Sequence, residues 1–223
     1  MEKLPSSELG TKQYWQDVYR NELECFNDHG ERGEVWFGKS VAKNIVQWLC
    51  NHVEKSVSII EIGSGNGQLL MDLSKCGFKT LFGIDYSSEA IHFSKLLRDS
   101  LQMSDSIEFE EADFLVYNFQ ESSVLSKQYD IVIDKGTFDA ICLNPDANDE
   151  QIKVTYYTNI CKYLKRNGLF MLTSCNWTKS EILDQISAAK CSLTLFDEIE
   201  TPKFTFGGNT GNKVVSLIFK YDV

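Results

Sequence analysis

Four carboxylates, Glu61, Asp85, Asp113 and Asp134, fall at or beside the ends of strand-like stretches, and Gly63, Gly65 and Gly67 follow the first of them in G-x-G-x-G spacing. Glycines at that spacing permit a tight turn and close approach of a ligand to the backbone, and the helix that follows offers free N–H groups at its start. A carboxylate at the carboxyl end of a second strand, Asp85, is placed to accept both hydroxyl protons of a ribose diol. Asp113 could accept from the exocyclic amine of a purine, with the Phe114 N–H donating to a ring nitrogen. The two best-known nucleotide loops do not fit. The dinucleotide fingerprint needs glycine where Gln68 stands, and a P-loop would end in Gly-Lys-Ser/Thr, which is absent.

Composition narrows the chemistry. With 223 residues, 43% of them apolar, one compact α/β domain with a short extension is the economical reading. No stretch of about 18 apolar residues occurs, so no membrane association is expected. Met1-Glu2-Lys3-Leu4-Pro5 lacks the basic-plus-apolar pattern of a secretion signal. The seven cysteines are scattered and never form C-x-x-C, which argues for a reducing compartment and against a disulfide framework or a metal site. The expected location is the cytoplasm, with presence in the nucleus compatible. A formal net charge of −10 disfavours DNA as a partner and suits a basic protein or a cationic small molecule.

The elements that must position these residues follow from periodicity. Residues 1 to 10 read as a loose tail. A helix starts at Thr11, its N-cap, and carries Tyr14, Trp15, Val18 and Tyr19, with acidic loop residues after it. The Trp36–Phe37 pair in a polar connection is either a plug of the core edge or a lid over a ligand. Val41, Ile45, Trp48, Leu49 and Val53 form one stripe of a helix over Ser40 to Val53. Strands are expected at Val57 to Ile62, Lys79 to Ile84, Ser106 to Ala112, Tyr129 to Ile133 and Leu169 to Thr173. Helices alternate with them: one to about Cys76, one capped by Ser87 or Ser88, one over Asp149 to Leu164 and one over Lys179 to Ala189. Two final strands, Leu193 to Ile199 and Val214 to Tyr221, flank a glycine-rich loop that suits a hairpin.

This pattern predicts an α/β fold with a mostly parallel sheet, one antiparallel strand and helices on both faces. Residues 1–38 form the N-terminal extension and 39–223 the main domain. Glu61–Gly67, Asp85, Asp113 and Asp134 all fall at strand ends, where ligands sit in such sheets.

The E-x-G-x-G-x-G form of Glu61 to Gly67 is typical of S-adenosylmethionine-dependent methyltransferases. Further segments narrow the resemblance: Leu9-Gly-Thr-Lys-Gln-Tyr-Trp15, Gly33-Glu-Val-Trp-Phe-Gly38, Gly83-Ile-Asp-Tyr-Ser87, Asp134-Lys-Gly-Thr-Phe-Asp-Ala-Ile141, Thr173-Ser-Cys-Asn-Trp-Thr178 and Pro202-Lys-Phe-Thr-Phe-Gly-Gly208. From about residue 9 onward the chain resembles the class I, seven-β-strand methyltransferases. Within them it resembles the elongation factor 1-alpha lysine methyltransferases of the methyltransferase-like protein ten type.

The resemblance implies a Rossmann-like fold of seven strands, S-adenosylmethionine as cofactor and methylation of a lysine on elongation factor 1-alpha by a monomer. It implies Glu61, Gly63, Gly65, Gly67, Asp85, Tyr86, Asp113, Phe114 and Asp134 as cofactor-binding residues. Asp134 and Lys135 are expected beside the reacting centre, with Trp36, Asn176 and Trp177 completing the catalytic set. Phe37 and Phe138 are expected in the lysine channel, with Phe204 and Phe206 as its outer wall. Asp139 is read either as a steering group or as a structural acid. Asp-Lys-Gly-Thr stands where amide and adenine N-methyltransferases carry Asn/Asp-Pro-Pro-Tyr/Phe, which counts against base or glutamine substrates. The alternatives are a small-molecule N-methyltransferase on the same fold and a non-catalytic adaptor.

Overall fold

A computed structural model describes residues 5–116, 124–145, 149–206 and 209–222. The strands are β1 (Ser58–Ile62), β2 (Thr80–Asp85), β3 (Ile107–Glu111), β4 (Tyr129–Lys135), β5 (Leu164–Ser174), β6 (Leu193–Glu198), β7 (Lys203–Phe206), β8 (Asn209–Asn212) and β9 (Val215–Tyr221). The helices are α1 (Lys12–His29), α2 (Gly38–His52), α3 (Gln68–Lys75), α4 (Ser88–Ser100), α5 (Thr137–Leu143), α6 (Asp149–Tyr163) and α7 (Lys179–Ala188). Seven strands form one sheet in the order β3-β2-β1-β4-β5-β9-β6, and β7 and β8 make a separate ribbon. Within the seven-stranded sheet, among the described residues, only β9 runs against its neighbours, pairing antiparallel with both β5 and β6. The sheet therefore has the predicted character.

Both faces of the sheet are covered, so neighbouring residues of one strand enter different cores. Ile59 packs with Leu49, Leu70 and Phe93, whereas Ile60 packs with Phe138, Tyr157 and Ile182. That is why Ile59 and Ile60 are apolar in succession rather than alternating with polar residues. Strand order reverses at β1, between β2 on one side and β4 on the other. The carboxyl ends of β1, β2, β4 and β5 thus frame one crevice.

Three local expectations change. The first helix continues to His29, where a loop was expected, and Gly30 in the left-handed region ends it. Its second half is held by packing, since Phe26 lies 5.6 Å from Phe93 of α4, which a window of acidic residues does not reveal. The tail is tied down from Ser7 onward. A 3-10 turn over Glu8–Gly10 is capped by Ser7, whose backbone N–H donates to the Leu143 carbonyl, and Gly10 is buried against Leu143 and Asn144. The final hairpin forms as β6 against β9, with the β7–β8 ribbon inserted between them.

Candidate active site

The glycine turn after β1 is shaped by the protein's own packing. Gly63, Gly65 and Gly67 all have positive φ, at 60°, 54° and 72°. A Cβ on Gly63 would meet Thr137 and one on Gly65 would meet the Tyr19 hydroxyl. The loop amides are already engaged. Ser64 N–H donates to Ile84 O (2.9 Å), Gly65 N–H to Asp85 Oδ2 (3.0 Å), Gly67 N–H to Ser64 O (2.9 Å) and Gln68 N–H to Asn66 Oδ1 (3.3 Å). An anion-binding loop needs such donors free. Here the turn presents a carboxylate instead.

A cavity of about 260 Å³ opens over this turn. Glu34, Glu61, Asp85, Asp113 and Asp139 line it, against one cation among the described residues, Lys135. Two buried atoms in its wall, Glu61 Oε2 and Ser64 Oγ, have no hydrogen-bond partner among the described residues. An unmet buried acceptor costs about 1–3 kcal/mol, so this wall is built for a ligand that brings donors and positive charge. S-adenosylmethionine, an amino-acid sulfonium with a ribose and an adenine, has that chemistry, and the residues present fit it.

The N-terminal segment forms the roof. Tyr19 is buried, and Trp15 stacks on it at 6.1 Å and meets Trp36 edge-on at 4.9 Å. Asn66 of the glycine turn donates to Glu34 O (3.0 Å) and Arg32 O (3.3 Å), while Glu22 accepts from Glu34 N–H. The connection before α2 is thereby strapped over the turn.

A family model described as a methyltransferase domain matches residues 53–213. EEF1A lysine methyltransferase 2 of Homo sapiens is 41% identical over 218 residues, spanning 97% of this chain and 88% of its own. The chain belongs to that methyltransferase family. Protein-lysine N-methyltransferase EFM4 of Saccharomyces cerevisiae is 33% identical over 226 residues, spanning 97% of this chain and 96% of its own. The crystal structure of a magnesium protoporphyrin IX methyltransferase from Synechocystis with bound SAM superposes with a TM-score of 0.62. It is 14% identical and covers 92% of this chain and 98% of that one, a likeness of fold alone.

In the methyltransferase, the residues singled out from sequence separate into those that line the cavity and those behind it. Glu61, Gly63, Gly65, Asp85, Tyr86, Asp113, Phe114, Lys135, Asn176, Trp36 and Phe37 line it. Gly67, Asp134, Phe138 and Trp177 do not. Gly67 starts α3 and packs against Phe109. Asp134 is wholly buried and accepts from Thr137 N–H (2.8 Å), Phe138 N–H (2.9 Å) and the Tyr156 hydroxyl (2.6 Å). It caps α5 from within the sheet, which a sequence position just past a strand does not distinguish from a ligand contact. Trp177 is buried among Phe138, Ile182 and Ile186, with the Lys153 ammonium 4.4 Å from its ring. The side chains of Phe204 and Phe206 lie outside the described residues. Sequence reading left Thr137 and Tyr19 without a role. Both touch the glycine turn, and a requirement for glycine at 63 and 65 was the only signal for them.

Burial dominates the ionisation of the acids in and behind the wall. Desolvation raises Asp85 to about 6, Asp134 to about 7 and Glu61 to about 8, although hydrogen bonds oppose it at the two aspartates and Lys135 opposes it at Glu61. Folded values above the unfolded ones mean that the unfolded chain releases these protons first. The stability they contribute is complete below about pH 4 and is lost as pH rises through 6 to 8. The ligand-free protein should therefore melt several degrees lower at pH 8 than at pH 5.5, and Glu61→Gln should flatten the profile, as read by calorimetry. A profile rising over that interval would contradict the burial of these charges.

Proposed function

We propose that this protein is a protein-lysine N-methyltransferase that uses S-adenosylmethionine and acts on translation elongation factor 1-alpha in the cytoplasm. The observation that carries the reading is near-full-length similarity to proteins named for that activity, in a chain whose cavity is lined by acids at the switch point of the sheet. Glu61, Ser64, Asp85, Tyr86, Asp113 and Phe114 would hold the cofactor, whose bound form supplies a methyl group on a positively charged sulfur.

The chain's own residues handle the lysine. A free lysine near pKa 10.4 costs about 4–5 kcal/mol to make neutral at pH 7. Walls of Trp36 and Phe37 exclude water from the amine and lower that cost, and the nearby Lys135 cation works in the same direction. Asp134 acts through position, fixing the turn that carries Lys135 and Gly136. Alignment then accounts for much of the rate.

Asp85→Ala should weaken cofactor binding by about 1–3 kcal/mol, since it removes a charged acceptor and the tether of Gly65 together. Unchanged affinity by titration calorimetry would refute the assignment. Activity is tested by incubating elongation factor 1-alpha with enzyme and cofactor and mapping lysines by mass spectrometry. A lysine gaining methyl groups supports the reading. Unmodified lysines beside a methylated metabolite would favour a small-molecule enzyme, and cofactor binding without turnover an adaptor.

A further inference from the structure

The sheet gives the cavity two sides. Asp85, Tyr86, Asp113 and Phe114 follow β2 and β3, on one side of β1, while α5 and the turn after β5 stand on the other. On that second side Asp139, in the first turn of α5, is only 5% exposed yet lines the cavity. Its Oδ1 accepts from the Ser174 hydroxyl and its Oδ2 from the Cys175 N–H at 2.8 Å. The Ser174 oxygen in turn accepts from Asn176 N–H (3.2 Å) and Trp177 N–H (3.3 Å). The carboxylate is thus fixed in orientation by the turn that also brings Asn176 to the cavity.

One feature sets Asp139 apart from a mere link between α5 and β5, although the Cys175 thiol and the Asn176 N–H also approach its oxygens. Among the described residues no salt bridge neutralises it. Holding a charge there carries a desolvation cost that no partner charge among the described residues offsets. The charge itself calls for a cation from outside. Phe37 reaches the same side, since a Cβ on Gly136 would lie 3.1 Å from its ring, and Gly136 stands one helical turn before Ala140. An apolar wall near a fixed carboxylate suits the aliphatic stem and charged head of a lysine side chain.

We propose that Asp139 is a specificity-determining residue of the lysine site, its carboxylate receiving the ε-ammonium of the substrate on the side of the cavity opposite Asp85. This rests on the lysine methyltransferase reading above. Ser174 and the Cys175 amide are the positioning groups. Cofactor binding does not depend on the contact.

The test is Asp139→Asn, which keeps shape and one of the two acceptor oxygens while removing the charge. Its KM for elongation factor 1-alpha should rise at least about ten-fold, as for loss of a charge-assisted hydrogen bond, with cofactor affinity by calorimetry within about two-fold of wild type. An unchanged KM, or a parallel loss of cofactor affinity, overturns the proposal. A second measurement needs neither substitution nor turnover. In wild-type protein saturated with S-adenosylhomocysteine, the assigned Asp139 carboxyl carbon resonance should shift on titration with n-butylammonium and stay in place with 1-butanol. A resonance that n-butylammonium leaves unmoved overturns the proposal. Wild-type enzyme that methylates no lysine would instead remove the functional reading, a distinct result.

Discussion

Gly65→Ala should reduce cofactor affinity by about 100-fold or more. Placing an L-residue at φ 54° costs roughly 1–2 kcal/mol by itself. The new Cβ would also meet the Tyr19 hydroxyl, and Tyr19 is buried and stacked on Trp15, so it cannot swing into solvent. Either the roof lifts or the turn shifts. A shifted turn breaks the 3.0 Å bond from Gly65 N–H to Asp85 and frees the carboxylate that must meet the ribose. Gly77→Ala is the control. Its φ is also positive, at 98°, but a Cβ there meets nothing within 4 Å, so it should carry the backbone cost of about 1–2 kcal/mol in stability and leave cofactor binding alone. Equal effects of the two substitutions on binding would show that backbone strain, and not the contact with Tyr19, sets the geometry of the turn.

Trp177→Ala should cost about 3–5 kcal/mol of stability, the usual range for removing a large aromatic side chain from a core. For a chain of this size that is a fall of ~10 °C in melting temperature. Trp177 fills the space beside Phe138 at 6.2 Å and follows the Ser174 turn, while Lys153 covers its ring. Cofactor affinity of the folded fraction should be unchanged. A variant that melts like wild type but has lost turnover would return Trp177 to the wall around the reacting amine.

Trp177 also shows where sequence reading stops. Its place after a strand, in Ser-Cys-Asn-Trp-Thr, matched that of a channel residue, but the turn directs Asn176 into the cavity and Trp177 into the core. Adjacent residues in a tight turn diverge, and no periodicity reports which one faces inward. Asp134 reads the same way: a strand-end carboxylate can meet a ligand or cap the next helix, and the choice depends on Tyr156, which comes from α6. Asp85 was legible because it ends β2 beside the glycine turn, a relation fixed by parallel pairing of β1 with β2. The sheet itself was legible throughout, since apolar runs bounded by glycine and acids alternate with helical stripes. The roof was not. Its residues are polar and aromatic in no regular pattern, and the bonds from Asn66 to Arg32 and Glu34 that hold it join distant parts of the chain.

The most direct test of this account is a crystal structure of the protein with S-adenosylmethionine or its demethylated product. The ribose should rest on Asp85 and the amino-acid end beside Glu61 and Ser64, leaving the sulfur open toward the side of the cavity that holds Lys135 and Asp139. Ligand density elsewhere on the protein, or a ribose with no contact to Asp85, would contradict it.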